Sequence, residues 1–455
     1  MIRLTGENIL ALLNRETPGW AKASHLDWTA DGISTDTRTI HPGDLFVPLK
    51  GERFDGHAYV AQAAESGAVA VLTERDDVPC ENRILVPDTR EALQRLAKSY
   101  RMLFHPLVVA LTGSVGKTTT KEMTAAVFGS HFKTMKTNGN FNNDIGVPLT
   151  LLRLTPEDEA AVVEMGMSHL GEIRVLTHLA QPDIAIITNI GTSHIGNLGS
   201  QEMICQAKLE ILEGLRAGGT VVLNGDDPFL SAVSVPDQFR RCTFGIENPD
   251  TDVSAENIRL TAEGSAFDIA FAGERYPAEI RLAGRHNIAN ALAAFAAGVT
   301  GGVPPQKAAA ALAGVEPEGM RQRLLTLGGC TVIEDCYNAN PDSMRAALRV
   351  LREYKGRHVA LLGDMLELGD FSKAEHRRIG EAAAASADLL VAVGAFAKDV
   401  AEGAQTGGMK TVYTPERAEA AALLKTLLRP GDVLLVKGSR GMRMEEILHD
   451  IFENA

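Results

Sequence analysis

Residues 107–119 have the sequence LVVALTGSVGKTT, which predicts a buried strand, a glycine turn and the start of a helix. Glycines between a strand and a helix let backbone N–H groups surround phosphate oxygens at the positive end of the helix. The loop residues expected to bind the nucleotide are Gly113, Ser114, Val115, Gly116, Lys117, Thr118 and Thr119. Lys117 would reach the outer phosphates, and the hydroxyl of Thr118 would bind Mg²⁺. We therefore expect ATP and Mg²⁺ as cofactors.

This loop departs from the common GxxxxGK[ST] pattern, because Leu111 occupies the place of the first glycine. A Gly-Lys-Thr triplet is by itself a weak signal, and an ordinary turn with a helix cap is the alternative interpretation. The strand before the loop, the helix after it and the second threonine favour nucleotide binding.

Composition and charge limit the kinds of protein that this sequence can encode. The chain has 455 residues, 45% of them hydrophobic and 23% charged, which is typical of a globular protein with about three domains. A net charge of −13 argues against nucleic-acid binding. The five cysteines are scattered without a CxxC pair, which is typical of thiols in a reducing cytosol and gives no support to a zinc site. We expect a cytoplasmic protein that is not inserted in a membrane, since the sequence shows no signal-peptide core and no membrane-length apolar run. We also expect a monomer.

Strands and helices alternate along most of the chain, which predicts three α/β domains. Residues 1–85 would form a small mixed domain, residues 86–312 a central P-loop-like domain, and residues 313–455 a Rossmann-like domain. The central domain would hold a mainly parallel sheet with helices on both faces. Its strands are expected at 107–112, 160–165, 184–189 and 220–224, and those of the last domain near 331–335, 358–362, 388–393 and 432–436. Residues 243–282 would add short antiparallel strands that close the central sheet.

Polar side chains follow two of the central strands. Glu164 ends one strand, and His194 comes just after another. If both strand ends lie beside the phosphate loop, these residues are candidate Mg²⁺ ligands together with Thr118, although Mg²⁺ prefers oxygen to imidazole nitrogen. Surface or packing roles are the alternative for both residues. Lys208 lies in the following helix, where a solvated lysine is the default interpretation.

Three more segments later in the chain carry candidate ligand-binding residues. Asp335 follows a strand and could hold a ribose hydroxyl, as acidic residues do in nucleotide folds. For Asn287 and Asn340, capping of the helix that each one precedes or begins is the alternative to ligand binding. The basic glycine turn at residues 436–441 suits a carboxylate or a phosphate group, and a plain loop is the competing interpretation.

Together these motifs resemble the Mur ligase family, over the whole length of the chain. The phosphate loop of that family, TGxxGKTT, is matched by residues 112–119. The resemblance implies that Glu164 and His194 bind Mg²⁺, and that Lys208 carries CO₂ as a carbamate that binds a second Mg²⁺. It also implies that Lys117 is catalytic with these three residues. Contacts with the nucleotide would come from Asn287 at the adenine, from Arg321 and from Asp335 at the ribose.

The resemblance also implies the substrates and the reaction. Residues 337–344 and 362–369 favour the family member that adds D-alanyl-D-alanine to UDP-N-acetylmuramoyl-tripeptide in peptidoglycan precursor synthesis, through an acyl phosphate. The Asp-Asn-Pro-Arg motif of the diaminopimelate-adding ligase is absent from the sequence. Segments that resemble those seating the UDP-sugar supply Ser34, Thr35, Asp36, Arg38, Asp55 and His57. Further substrate contacts are expected from Asn142, Asn143, Asn338, Asn340, Lys437 and Ser439.

Alternatives stay open at this point. Another Mur ligase or a folylpolyglutamate synthetase would share Lys117, Glu164 and Lys208. A P-loop switch or binding protein would hydrolyse ATP slowly and form no peptide bond. The third residue of the peptide substrate is either diaminopimelate or lysine. In a ligase, closure of the last domain would bring Arg321 and Asp335 onto ATP.

Overall fold

The computed structural model describes residues 1–51, 53–261 and 264–453, and these form three successive α/β units. Each unit is built on one larger sheet, of five, nine and six strands in chain order. We call them the first, central and third units. The predicted fold class, three α/β domains with mainly parallel sheets, is confirmed. The boundaries after residues 85 and 312 stay predictions.

The first unit has a five-stranded sheet with the order β2-β7-β6-β5-β4 and a separate pair, β1-β3. Its strands are β1 (Leu4–Thr5), β2 (Lys22–Ala23), β3 (Thr29–Ala30), β4 (Gly32–Ser34), β5 (Asp44–Phe46), β6 (Ala70–Thr73) and β7 (Arg83–Leu85). Its helices are α1 (Gly6–Leu13) and α2 (Val60–Glu65), and α3 (Thr89–Arg101) follows.

Helix α3 joins the first unit to the central one. Its apolar residues repeat at helical spacing and are buried, among them Leu93, Leu96 and Tyr100. The hydroxyl of Tyr100 donates to the carbonyl of Leu154 at 2.7 Å and accepts from the N–H of Ile2. One side chain therefore ties the N-terminal residues to the central unit.

The central unit has a nine-stranded sheet with the order β16-β15-β14-β13-β12-β11-β8-β10-β9. Its strands are β8 (Leu107–Thr112), β9 (Thr134–Lys136), β10 (Ala160–Glu164), β11 (Ile184–Ile187), β12 (Thr220–Asn224), β13 (Arg240–Gly245), β14 (Val253–Thr261), β15 (Gly264–Phe271) and β16 (Glu274–Ile280). Its helices are α4 (Lys117–Gly129), α5 (Gly146–Leu151), α6 (Glu172–Ala180), α7 (Ile195–Leu198), α8 (Gln201–Leu209), α9 (Pro228–Ser231), α10 (Arg285–Thr300) and α11 (Pro305–Ala311). Strands β8, β10 and β11 are neighbours and parallel, so their carboxyl ends lie at one edge.

The prediction of short antiparallel strands over residues 243–282 was partly wrong. Strand β13 pairs in parallel with β12 and with β14, and only β14 to β16 are antiparallel. These last three strands have 9, 8 and 7 residues and are not short. Strand β13 begins with two exposed arginines, Arg240 and Arg241, and its buried part starts only at Cys242. The sequence pattern therefore did not reveal where this strand begins.

The third unit has a six-stranded sheet with the order β17-β18-β22-β19-β20-β21, parallel except for β17. Its strands are β17 (Arg323–Leu327), β18 (Cys330–Asp335), β19 (His358–Leu362), β20 (Leu389–Ala392), β21 (Val412–Tyr413) and β22 (Val433–Lys437). Its helices are α12 (Pro341–Leu351), α13 (Ser372–Ala384), α14 (Ala397–Thr406), α15 (Ala420–Leu427) and α16 (Met444–Phe452). In the part of the chain that the structure describes, no helix has the length and apolarity needed to cross a membrane.

Candidate active site

A cavity of about 830 Å³ lies between the carboxyl edge of the central sheet and the third unit. Many of the predicted site residues line it. They are Ser114, Val115, Gly116, Lys117, Thr118, Thr119, Asn142, Asn143, Glu164, His194, Asn287, Arg321, Asp335, Asn338, Asn340 and Lys437. The sheet order explains this convergence, because β8, β10 and β11 all end at this edge.

The phosphate loop connects β8 to α4 and is held by side chains at the end of β11. Asn189 accepts from the N–H of Val115 through Oδ1 and donates to its carbonyl through Nδ2, both at 2.9 Å. Gly116 has a φ of 83°, and a Cβ there would overlap the side chain of Asn290. Helix α4 has no side-chain cap, so the N–H groups of its first turn are available to an anion.

Lys117 lies at the start of α4 with its Nζ 2.8 Å from the carbonyl oxygen of Gly113. Burial lowers the pKa of Lys117, the carboxylate of Glu164 raises it, and the guanidinium of Arg321 lowers it. Lys117 lines the same cavity as Glu164 of the central unit and Arg321 of the third unit. A polyanion bound in this cavity would stabilise the charged form of Lys117.

Glu164 is the predicted metal ligand at the end of β10, and it is 1% exposed. Its Oε1 accepts from Asn142 Nδ2 at 2.7 Å and from the hydroxyl of Thr118 at 3.4 Å. Its Oε2 is buried and has no hydrogen-bond partner among the described residues. An unpaired buried carboxylate oxygen is costly, and a bound cation would satisfy it.

His194 precedes α7 with a φ of 61°, which is the left-handed region. Its Nδ1 lies 2.6 Å from Oε2 of Glu367 in the third unit, within ion-pair distance but without hydrogen-bond geometry. No group of three or more His, Cys, Asp or Glu side chains within the described ranges could hold a metal ion alone. Mg²⁺ usually takes one or two protein ligands plus phosphate oxygens and water, so Thr118 and Glu164 fit it.

Lys208 lies on α8 outside the cavity wall and is 2% exposed. Burial, and then the charge of Lys117, lower the pKa of Lys208 well below its usual range. Within the described residues its amine has no hydrogen-bond or ion-pair partner. The alternative of a solvated helix lysine is therefore wrong, and the neutral amine that carbamate formation needs is favoured.

The far end of the cavity is lined by amides and a histidine. Asn287 lies inside α10 and does not cap it, so the cap alternative is wrong. Its Nδ2 donates to Ala283 O and to Gln322 Oε1, both at 2.8 Å. Burial lowers the pKa of His286 to about 4, which keeps its ring neutral. These groups suit an uncharged heterocycle such as adenine.

The third unit brings two predicted residues into direct contact. Lys437 Nζ lies 2.7 Å from Asp335 Oδ2 and 3.0 Å from the carbonyl of Asn338. The guanidinium of Arg321 stacks over the ring of Tyr337, with 4.0 Å from its central carbon to the ring centroid. Asp335 and Lys437 thus form one buried pair on the cavity wall.

Asn340 and Ser439 have partners within the protein. Asn340 caps α12 by accepting from the N–H of Ser343, and its Nδ2 donates to Ser193 Oγ at 2.5 Å. The cap interpretation is confirmed, and Asn340 still lines the cavity. Ser439 is buried outside the cavity and accepts from the N–H of Leu366. Dipeptide contacts from these residues stay predictions.

The predicted residues of the first unit do not line this cavity, and neither does Gly113. They are Ser34, Thr35, Asp36, Arg38, Asp55 and His57. The carboxylate of Asp36 forms an ion pair with Arg38. The side chain of His57 is buried, with one ring nitrogen 2.7 Å from Asp55 Oδ1 and the other accepting from the N–H of Glu74. Their contact with a UDP-sugar stays a prediction.

Sequence reasoning missed several residues at the cavity. Arg90 and Gln94 of α3 line it, and Arg90 pairs with Asp144 at 2.5 Å. Both residues belong to helix α3, which comes before the phosphate loop in the sequence and contains none of the motifs used to predict the site. Asn189, which holds the phosphate loop through Val115 without lining the cavity, was detectable, because it follows β11 within the segment that leads to His194.

Three successive parts of the chain each match a domain of the same protein family. Residues 29–101 match the family described as "Mur ligase family, catalytic domain", residues 111–298 match "Mur ligase middle domain", and residues 320–440 match "Mur ligase, glutamate ligase domain". The chain is 42% identical to the UDP-N-acetylmuramoyl-tripeptide–D-alanyl-D-alanine ligase of Bacillus subtilis strain 168, covering 100% of this chain and 99% of that protein. It is 39% identical to the ligase of the same name from Escherichia coli strain K12, with the same coverage.

Solved structures are similar over nearly the whole fold. MurF from Acinetobacter baumannii superposes with a TM-score of 0.91 at 34% identity, covering 99% of each chain. MurF from Thermotoga maritima in complex with ADP superposes with a TM-score of 0.82 at 28% identity, covering 93% of this chain and 97% of that one.

Proposed function

The chain belongs to the Mur ligase family, and we propose that it joins D-alanyl-D-alanine to UDP-N-acetylmuramoyl-tripeptide at the expense of ATP. The products are UDP-N-acetylmuramoyl-pentapeptide, ADP and phosphate, for peptidoglycan synthesis. One observation carries the proposal. Residues 114–119 of the phosphate loop and Glu164, whose Oε2 has no hydrogen-bond partner among the described residues, line a cavity whose opposite wall belongs to the third unit. We place the reaction in the cytoplasm and expect a monomer.

The reaction has two steps. A terminal carboxylate oxygen of the tripeptide attacks the γ-phosphorus of ATP, the bond to the β,γ-bridging oxygen breaks, and ADP leaves. The resulting acyl phosphate is attacked at carbon by the amine of D-alanyl-D-alanine. The nitrogen loses a proton and inorganic phosphate is expelled, which leaves the new amide. Positioning and charge stabilisation supply most of the catalysis in such transfers.

The chain supplies the positioning from both sides of the cavity. The uncapped N–H groups of α4 and the ammonium of Lys117 would bind the β- and γ-phosphates. Asn287 and the neutral ring of His286 would contact the adenine. Arg321 lines the cavity and stacks on Tyr337, and its permanent positive charge would offset the charge that develops on the transferred phosphoryl group.

Thr118, Glu164 and His194 would hold one Mg²⁺, and Lys208 would bind a second Mg²⁺ as a carbamate, once its buried amine has reacted with CO₂. In that reaction the unprotonated Nζ bonds to the carbon of CO₂ and one proton is released. The lowered pKa of Lys208 supports this step, because only the neutral amine is a nucleophile. Bound Mg²⁺ would offset the negative charge on the transferred phosphate.

A substrate-dependence assay tests the proposal. The purified protein is incubated with ATP, Mg²⁺, D-alanyl-D-alanine and a UDP-N-acetylmuramoyl-tripeptide that carries either diaminopimelate or lysine. We expect phosphate release to require both peptide substrates, and mass spectrometry to show the pentapeptide. Comparison of the two tripeptides identifies the third residue. Phosphate release without either peptide would instead indicate a P-loop hydrolase, and ligation of a free amino acid another member of the family.

A further inference from the structure

The segment of residues 191–198, which we call the His194 loop, lies between the phosphate loop and the third unit. It lies within the connection from β11 to α8 and includes α7. On the inner side, the N–H of Gly191 donates to Ser114 Oγ at 2.9 Å, and the hydroxyl of Ser193 donates to the carbonyl of Ser114 at 3.0 Å. The loop that carries His194 is therefore bonded directly to the loop expected to bind phosphate.

On its outer side, the first part of the His194 loop is bonded to the start of α12. Oδ2 of Asp342 accepts from the N–H of Thr192 at 2.9 Å and from its hydroxyl at 3.2 Å. Asp342 is itself held by Arg345, whose guanidinium donates to Oδ1 at 2.8 Å. Next to it, Asn340 donates to Ser193. A continuous chain of hydrogen bonds thus runs from the third unit through Ser193 to the phosphate loop.

The second part of the His194 loop contacts residues 367–369 of the third unit. The N–H of Gly196 donates to the carbonyl of Glu367 at 3.2 Å, and the side chain of Glu367 pairs with His194. A Cβ at Gly196 would lie 2.7 Å from the carbonyl oxygen of Glu367 and 2.7 Å from the nitrogen of Gly369. Both are backbone atoms, so the two units fit together here only because residue 196 has no side chain.

We propose that Asp342 and the Gly196–Glu367 contact are positioning elements that place His194 for metal binding when the third unit docks on the central unit. The proposal rests on the proposed function, because that function requires His194 as a ligand. The left-handed conformation of His194 agrees with it, since a non-glycine residue keeps such a φ only where its surroundings impose it. Docking of the third unit thereby completes the metal site as well as the nucleotide site.

Gly196→Ala is the main test. Gly196 lies within α7, so alanine costs nothing in backbone conformation and should favour the helix, while its Cβ blocks the docked position. The matched control is Asn197→Ala, one residue further along α7, whose side chain is exposed and makes no hydrogen bond within the described residues. We expect kcat to fall by about 100-fold in Gly196→Ala, which is the cost of misplacing a catalytic group by about 1 Å.

Two readouts do not depend on ligase turnover. Mn²⁺ replaces Mg²⁺ as a spectroscopic probe, and its affinity is measured by electron paramagnetic resonance with a non-hydrolysable ATP analogue present. We expect about tenfold weaker Mn²⁺ binding in Gly196→Ala, the smallest loss typical of removing a supporting contact to a metal ligand. Small-angle X-ray scattering should show a larger radius of gyration than for Asn197→Ala.

Asp342 provides a second pair of variants that add no bulk. Asp342→Ala should weaken Mn²⁺ binding in the same direction, and Asp342→Asn, which keeps one acceptor oxygen, should restore most of it. Equal Mn²⁺ affinity and equal scattering in Gly196→Ala and Asn197→Ala would overturn the proposal. If wild-type protein forms no pentapeptide yet Gly196→Ala still loses Mn²⁺ affinity, the proposed function fails and the positioning role stands.

Discussion

The buried pair between Lys437 and Asp335 yields a quantitative prediction. The two side chains are 2% and 13% exposed, and 2.7 Å separates Nζ from Oδ2. Lys437→Met keeps the length of the side chain but leaves the carboxylate of Asp335 buried without its counter-ion. Breaking a buried pair on one side costs about 3–5 kcal/mol. Because Asp335 lies on the wall of a water-accessible cavity, we expect the lower limit, about 3 kcal/mol.

The pair joins the ends of β18 and β22, two neighbouring parallel strands of the third unit. A chain of three units does not unfold in one transition, so the stability of this unit is best followed locally. Hydrogen exchange with mass spectrometry of peptides that cover β18 and β22 is the assay. A loss of about 3 kcal/mol corresponds to about 100-fold lower protection.

Two further variants separate the charge effect from the loss of packing. In Asp335→Asn with Lys437→Met both charges are gone, and most of the protection should return, because removing both partners leaves no unpaired buried charge. Arg377→Met breaks the exposed pair between α13 and α14, where Arg377 is 52% exposed, and should cost less than about 1 kcal/mol. Equal protection in Lys437→Met and Arg377→Met would refute the reasoning.

Three other predictions concern the site. Lys208→Arg should lower kcat at least about 100-fold, because a guanidinium stays protonated and forms no carbamate; ligase activity at the wild-type level would contradict the carbamate. Tyr337→Leu should raise the KM for ATP roughly threefold by removing the surface on which Arg321 stacks, whereas Tyr337→Phe should leave it unchanged; equal KM values in the two variants would count against the stack. Burial lowers the pKa of His286 from 6.5 to about 4, so its contribution to the unfolding free energy is complete above pH 6.5 and is lost as the pH falls towards 4. Hydrogen exchange of peptides that cover α10, compared between the two proteins at each pH, should show a smaller loss of protection on acidification in His286→Asn than in the wild type. The same pH dependence in both proteins would be the contrary result.

Much of the phosphate site was predictable because its signals are local. The apolar run of β8, the glycine turn and the start of α4 follow one another in the chain, and each is specified by its own residue types. The sequence positions of Glu164 and His194 after strands also indicated the correct edge of the sheet, since parallel strands end together. The polar start of β13 shows the limit of this reasoning, because burial there depends on neighbours far away in sequence.

The sequence by itself determined the strands β8, β10, β11 and β12 of the central sheet, the phosphate loop and the family to which the chain belongs. Only the tertiary structure decided which side chains meet: Lys437 with Asp335, Asn142 with Glu164, and Asp342 with Thr192. The physical reason is that a hydrogen bond or an ion pair needs its atoms within about 3 Å. Residue type and local pattern set the shape of each element, but such distances between residues up to 150 positions apart depend on how whole sheets and units pack.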